Sequence, residues 1–314
     1  MTLPLALAPA LDEALRTGEL GRFTDAVPRD RRDRVDVLQT VYDLHTAPLA
    51  VLGERARHQH HPAVSALKNR LEAEWLAELP DVPEEFADEP DVVTALRAMA
   101  TVDRLPRTYH WLADEASWDE LVRFLAMEGG PDAGFDDLVA ACQVGLYGSA
   151  KLELAQNYWD EMGNGDLDRV HTVLHDRLVA AIGMPRLSRA ELPLEALERT
   201  ALGGLLATNR WLQPEMIGAL GMIELQAGPR CRKVVQGLER LGAPAAAYPF
   251  YTEHAEVDPR HGKDWVEKAV VPLVAEHPSW QQRILRGAWW RLELSLRFFS
   301  AAEELLLREA SHAA

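Results

Sequence analysis

Apolar residues recur at three- and four-residue steps along nearly the whole chain, which is the spacing of amphipathic α-helices. Leu, Ala, Glu and Arg dominate these stretches, and the alternating Val-, Ile- and Thr-rich runs of strands are missing. The pattern predicts an all-α protein. The predicted helices cover about residues 7–18, 30–57, 62–79, 91–102, 115–128, 134–163, 166–182, 192–207, 212–226, 229–241, 244–277 and 279–311, the span 244–277 being interrupted at Pro249, Pro259 or Pro272.

One acidic segment divides this pattern. Residues 78–93, ELPDVPEEFADEPDVV, contain three prolines and mark the best candidate for a domain boundary. We therefore predict an N-terminal helical segment over residues 1–90 and a core domain over residues 91–314. The amphipathic helices of the first segment are expected either to pack on the core or to form the contact of a homodimer.

Charge and composition exclude several classes of partner. The formal net charge is −16, which argues against a nucleic acid or an anionic membrane as the main partner, because both need clustered Lys and Arg. No uninterrupted apolar run reaches about 18 residues, so no membrane span is predicted. The two cysteines suggest neither a disulfide framework nor a zinc site, and the first twenty residues lack the basic start of a signal peptide. A cytoplasmic location is predicted.

The segment HAEVDPRH contains the most specific polar pattern in the chain. It places His254, Asp258 and His261 at positions i, i+4 and i+7, which lie within about 60° of one another on an α-helix. Two imidazoles and a carboxylate on one helix face are typical of half of an iron site. Pro259 lies inside this triplet and removes one backbone donor, so a kink there would make the geometry less regular.

Residues for the other half of such a site occur elsewhere in the chain. Asp168 and His171 form a second carboxylate–x–x–His pair, and Glu161 precedes them. Glu224 lies in an otherwise apolar helical stretch, where a carboxylate requires a partner. Di-iron sites in helical bundles use such pairs together with single carboxylates from other helices. A salt bridge from Glu224 to Arg230 or Arg232 is the alternative.

The order and spacing of these residues resemble those of the haem-oxygenase-like di-iron oxidases and oxygenases, which share a fold with TenA-type thiamin-salvage proteins. The matching pattern is E161–x9–H171, E224–x29–H254 and H254–x3–D258–x2–H261, and the resemblance covers roughly residues 110–300. It implies a haem-oxygenase-like bundle of about seven core helices with an added N-terminal segment. It also implies the metal ligands Glu161, His171, Glu224, His254, Asp258 and His261.

The resemblance implies a function as well. It suggests two Fe(II) ions, O₂ as co-substrate, an external electron donor and a small-molecule substrate. We predict N-oxygenation of an amino or guanidino group, with desaturation or oxidative C–C cleavage of an amino or fatty acid as the alternatives. Asp168 occupies the position of a further carboxylate ligand in N-oxygenating members, but helix capping after Gly163–Gly165 is an equal explanation for it.

Other predictions concern the substrate pocket and rival functions. Glu128, Trp159, Trp265 and Arg286 are candidate pocket residues, although helix termination, core packing and a surface ion pair are alternatives for them. No hydrolase elbow, dinucleotide fingerprint or P-loop occurs. Cys142 lies in an apolar stretch and is interpreted as an inert thiol. A metal-free TenA-like protein and an iron-binding carrier remain the rival classes.

Overall fold

The computed structural model of the chain describes residues 6–129 and 134–313, with side chains described as far as residue 306. No β-strand occurs in these ranges, so the all-α prediction is confirmed. The helices are, in chain order, α1 (Leu7–Thr17), α2 (Arg31–Thr46), α3 (Leu49–Leu52), α4 (Pro62–Leu76), α5 (Glu84–Ala87), α6 (Val92–Thr101), α7 (Arg107–Asp114), α8 (Trp118–Glu128), α9 (Phe135–Cys142), α10 (Gly148–Glu161), α11 (His171–Ile182), α12 (Leu194–Thr208), α13 (Gln213–Arg240), α14 (Pro249–Asp264), α15 (Val271–Glu276) and α16 (Trp280–Ala313).

The contacts of the chain divide it into two compact units. One consists of Met1–Pro80 and Leu197–Arg210, and the other of Asp81–Ala196 and Trp211–Ala314. All the candidate metal ligands lie in the second unit. The predicted domain division at residue 90 stays a prediction. Within the described ranges, no helix combines the length and apolar character that crossing a lipid bilayer requires.

Two prolines that were expected to mark breaks lie inside helices. The predicted helices 212–226 and 229–241 are one helix, α13, which continues through Pro229. Pro259 lies inside α14, whereas Pro249 begins it. A proline in a helix interior removes one backbone hydrogen bond. Here α13 packs against α7, α14 and α16, and this packing on several sides keeps the helix continuous.

The expected interruption of the span 244–277 is a change of helix type. Trp265–Val270 forms a π-helical segment between α14 and α15, directly before Pro272. Pro272 lies in the first turn of α15 and has no N–H, so one carbonyl of the preceding turn lacks its α-helical partner beside this change of helix type. The segment is well packed, because Trp265, Val266, Ala269 and Val270 are all buried.

Other helix boundaries differ from the prediction where turns intervene. The predicted helix 30–57 ends at Thr46, before Pro48, and the predicted helix 134–163 is divided into α9 and α10. Helix α7 was not predicted. A capping box formed by Ser117 and Glu120 begins α8, three residues later than predicted.

A close approach of α14 to α13 positions half of the candidate ligands. A Cβ atom at Gly262 would lie 3.0 Å from the backbone oxygen of Glu224. A side chain at residue 262 would require one of the two helices to shift by a few tenths of an ångström, so glycine permits the closer approach. His261, next to Gly262, is thereby held beside Glu224.

Candidate metal centre

Glu161 and His171 meet across a tight reversal of the chain. Glu161 ends α10 and His171 begins α11, with the turn Gly163–Gly165 between them. Asn164 adopts the left-handed conformation there, at φ 54°. The reversal brings His171 Nδ1 to 2.6 Å from Glu161 Oε2, and both side chains are buried.

His254 approaches the same point from α14. Its ring centroid lies 4.4 Å from that of His171. Its Nδ1 atom lies 2.6 Å from the carbonyl oxygen of Phe250. Because a carbonyl only accepts hydrogen bonds, Nδ1 carries the proton and donates, which leaves the Nε2 lone pair of His254 for a ligand.

Glu224 approaches from α13 and is buried. Its Oε1 accepts a hydrogen bond from Asn157 Nδ2 at 2.6 Å, and its Oε2 lies 3.6 Å from His261 Nδ1. Arg232, one of the cations considered as its salt-bridge partner, donates to the carbonyl oxygen of Ala255 instead. Glu224 therefore points towards the other candidate ligands.

Two overlapping groups of side chains result. In the first, Glu161, His171 and His254 each have a ligand atom within 4.8 Å of the others, and in the second, Glu161, Glu224 and His261 do. Glu161 belongs to both groups. The α14 residue Asp258 is also buried, and the negative charges of Glu224 and Glu161 act on it.

The hydrogen-bonding state of this cluster tests whether a metal fits. Asp258 Oδ2, His171 Nδ1 and His261 Nδ1 are buried without a hydrogen-bond partner among the described residues. The short contact of His171 with Glu161 lacks hydrogen-bond geometry. Buried polar atoms without partners are rare, because they lose the hydrogen bonds of water. Cations between these side chains would satisfy all three atoms, so the residues fit a metal centre.

The electrostatics of the cluster lead to the same conclusion. Burial, followed by the negative charges of Glu224 and Glu161, raises the pKa of Asp258 well above its usual range. Burial by itself would lower the pKa of His261, but the carboxylates of Glu224 and Asp160 outweigh it and raise that pKa to about 9. Without a cation, the cluster retains protons to balance its carboxylates.

Asp160 is a residue that the sequence analysis missed. It is buried, and its Oδ2 lies 2.9 Å from His261 Nε2 and accepts from Arg260 Nη2 at 2.8 Å. The contact orients the ring so that Nδ1 faces Glu224. Helical spacing was a usable signal, because Asn157, Asp160 and Glu161 share one face of α10.

Asp168 does not join the cluster. Its side chain is 78% exposed and forms an ion pair with Arg177. Asp166, rather than Asp168, caps the following short 3₁₀ turn by accepting from the backbone N–H of Asp168. The turn that brings His171 inward thus leaves the preceding carboxylate at the surface.

The four predicted pocket residues lie in different surroundings. Trp159 is 49% exposed and covers Gly165, whereas Trp265 is buried and donates to the carbonyl oxygen of Ile217 at 3.0 Å. The other two are Glu128, which accepts a hydrogen bond from Tyr109, and Arg286, which forms an ion pair with the buried Glu215.

A cavity of about 140 Å³ reaches the cluster from outside. Glu224 and Asp258 form part of its wall, and Leu225, Pro259 and Val266 are among its apolar neighbours. The remaining lining residues are Gly262 and the cationic residues Arg97, Arg104 and Lys263. A small molecule in this cavity would contact two of the candidate ligands.

Comparison with known proteins identifies a family. The sequence profile of the family described as iron-containing redox enzyme matches residues 122–296, which include the six candidate ligands. The chain is also 26% identical over 178 residues to a nitrosourea synthase from Streptomyces achromogenes subsp. streptozoticus. That similarity covers 53% of this chain, which spans only 36% of the length of the relative.

Proposed function

The chain belongs to the iron-containing redox enzyme family, and from this premise we propose that it is an O₂-dependent, non-haem di-iron oxygenase that N-oxygenates a small amine or guanidine. One observation carries the proposal. Five donor side chains from α10, α11, α13 and α14 form two overlapping groups, and the buried Asp258 is the sixth candidate. Three polar atoms of these six side chains lack partners among the described residues. Three carboxylates and three imidazoles are the donor set that iron accepts in helical bundles.

Each ligand has a role that follows from its place. Glu161 would contact both metal positions, since it belongs to both groups. His171 and His254 would complete one group, and Glu224 and His261 the other. Asp258, the remaining buried carboxylate, would add negative charge against the metal charge. When bound, a pair of iron ions supplies O₂ binding and the transfer of electrons between ferrous and ferric states.

The proposed reaction balances with an external reductant. An amine R–NH₂, O₂, two electrons and two protons give R–NHOH and water. The residues contribute by holding the substrate against Glu224 and Asp258, with Leu225, Pro259 and Val266 limiting the access of water. No flavin or nicotinamide motif was found in the sequence, so a separate donor is proposed for the electrons.

The relative supports nitrogen oxidation among the possible outcomes. It is named a nitrosourea synthase, and a nitroso group contains an oxidised nitrogen. Desaturation and oxidative C–C cleavage use the same type of centre and are the competing outcomes of the test. A TenA-like thiol chemistry is disfavoured, because burial raises the pKa of Cys142 to about 12 and keeps the thiol protonated.

The test begins with the metal. We expect the protein to bind a pair of ferrous ions per chain under anaerobic loading, and to consume O₂ with formation of a hydroxylamine from an amine substrate. Iron analysis, O₂ uptake and mass spectrometry of the products measure these steps. A chain that binds no iron would support the metal-free alternative, and bound iron without an O₂-dependent product would support the carrier.

Asp160 gives a prediction about metal affinity. We expect Asp160→Ala to weaken Fe(II) binding about 10- to 100-fold, because partners that orient a ligating histidine have effects of this size. The ring of His261 would lose the contact that directs Nδ1 towards Glu224. Anaerobic Fe(II) titration measures the change.

Glu253→Ala provides the control for Asp160. Glu253 is also a carboxylate that accepts from an arginine, but its partner is the exposed Arg169, and among the described residues its side chain forms no hydrogen bond or ion pair with a candidate ligand. We expect the Glu253→Ala protein to bind Fe(II) with the affinity of the unsubstituted protein. Equal affinities for Asp160→Ala and Glu253→Ala would show that Asp160 does not position His261.

A further inference from the structure

Three cations surround the cavity that leads to the candidate metal ligands. Arg97, Arg104 and Lys263 line it together with Glu224 and Asp258. This concentration of positive charge contrasts with the formal net charge of −16 for the whole chain. Cationic residues in a concave site attract and hold anions.

The loop that carries Arg104 is held in a constrained conformation. Asp103 has φ 45°, in the left-handed region that non-glycine residues rarely adopt. Arg230 donates to the carbonyl oxygens of Arg104 at 3.2 Å and Asp103 at 3.3 Å. The buried Gln226 accepts from Arg230 at 3.1 Å and lies 3.5 Å from the carbonyl oxygen of Val102. Such local strain persists where surrounding contacts fix it, often at ligand sites.

The residues that hold this loop belong to the helix that carries a candidate ligand. Gln226 and Arg230 follow Glu224 on α13 by two and six residues. The position of Arg104 relative to Glu224 is therefore fixed by contacts within a few residues of one helix. Such rigidity is expected where two ends of one small molecule are held.

Among the described side chains, Arg104 is the lining cation that lacks a competing partner. Arg97 and Lys263 both contact Glu267, at 3.5 and 3.9 Å. Within the side chains described, the Arg104 guanidinium makes neither an ion pair nor a hydrogen bond. An arginine can bind a carboxylate through two parallel hydrogen bonds, a geometry that lysine lacks. Arg104 is thus the lining cation that is most available to a ligand.

We propose that Arg104, assisted by Arg97, binds a carboxylate of the substrate, which places the opposite end of the substrate at Glu224 and Asp258. The inference rests on the proposed function and adds to it the side chain that anchors the carboxylate end of the substrate. The cavity has a volume of about 140 Å³, which is below the ~300 Å³ of typical drug-sized pockets. The substrate that it admits is therefore small. Arg97 and Arg104 precede residue 122, where the family match begins, whereas Glu224 and Asp258 lie inside it.

Matched ligand pairs test the proposal. The probes are L-arginine with agmatine and L-lysine with cadaverine, since the members of each pair differ only in the carboxylate. Equilibrium dialysis against the anaerobic, Fe(II)-loaded protein measures their binding. For at least one pair we expect the amino acid to bind about tenfold or more tightly than its decarboxylated partner, as a charge-assisted hydrogen bond predicts.

Variants assign this preference to one side chain. We expect Arg104→Gln to abolish the preference and Arg104→Lys to restore part of it, because lysine keeps the charge but not the bidentate geometry. Arg107→Gln is the control, since Arg107 is 88% exposed, lies three residues further on and does not line the cavity. The Arg107→Gln protein should prefer the amino acid over its decarboxylated partner as strongly as the unsubstituted protein does.

Several results would overturn the carboxylate site. These are equal binding within both pairs, no binding of either amino acid, and a preference that Arg104→Gln leaves unchanged. Iron content is measured on the same samples. Absence of iron from the unsubstituted protein contradicts the metal centre, whereas equal binding by an iron-loaded protein contradicts only the carboxylate site.

Discussion

Glu161→Ala is expected to abolish binding of both metal ions. Glu161 is the residue that the two ligand groups share, so its loss leaves each group with only two of its three members. The decrease in Fe(II) affinity should exceed the roughly 10- to 100-fold effect of removing an outer partner such as Asp160. O₂-dependent turnover should disappear with the iron. Anaerobic iron analysis and O₂ uptake measure both effects.

The same substitution should not unfold the metal-free protein. The charge of Glu161 is one of the factors that raise the pKa of Asp258, so without a cation Asp258 has to be held in its protonated form at a cost in stability. Removing Glu161 reduces that cost and offsets the lost contact with His171. Thermal unfolding of the metal-free variant should therefore remain close to that of the unsubstituted protein, which separates loss of a ligand from loss of the fold.

Asp168→Ala is the matched control for Glu161. Asp168 was a candidate ligand by sequence, but its side chain is exposed and paired with Arg177. We expect it to retain full iron content. If Asp168→Ala lost iron while Glu161→Ala kept it, the assignment of the shared carboxylate would be wrong.

Gly287→Ala is expected to lower the stability of the folded protein more than the other substitutions proposed above. A Cβ atom at residue 287 would lie 1.8 Å from the backbone oxygen of Glu215, so α16 and α13 would have to separate. No side-chain rotation relieves a contact between a Cβ and a backbone oxygen. We expect the folded state to be destabilised by about 3 kcal/mol, the upper part of the usual range for overpacking, and the melting temperature to fall by about 4 to 5 °C.

The clash at residue 287 also disturbs the ion pairs of a buried carboxylate. Glu215 is fully buried and is paired with Arg283 and Arg286, so moving its backbone disturbs both ion pairs. Gly21→Ala is the control, because a Cβ there meets nothing within 4 Å and its backbone lies outside the positive-φ region. Thermal denaturation followed by circular dichroism compares the two. A Gly287→Ala protein that melts with the Gly21→Ala protein would contradict the close helix crossing.

Helical periodicity made the fold class and the triplet on α14 predictable. His254, Asp258 and His261 share a face because a helix repeats through hydrogen bonds between residues close in sequence. Pro259 was expected to disturb that face, yet α14 continues through it. Neighbouring elements decide whether a single lost hydrogen bond ends a helix. The sequence therefore could not show whether a helix ends at Pro229 or at Pro259.

Local sequence patterns could not predict which residues contact the candidate ligands. Asp160 and Asp168 are both acids close to Glu161 or His171 in sequence, but one contacts His261 and the other pairs with Arg177 at the surface. Asp160 lies on α10 beside Glu161, whereas Asp168 follows the turn at Gly163–Gly165 and has an exposed side chain. Arg104 is a similar case, since contacts from α13 hold its loop.

The sequence by itself determined that the chain is helical and which acids and imidazoles are available at helical spacing, because both depend on interactions within a few residues. Only the tertiary structure decided which of those side chains converge, which cations line the approach to them, and where two helices touch through glycine. These properties depend on contacts between residues that are far apart in the chain, and their geometry is fixed only once the helices have packed.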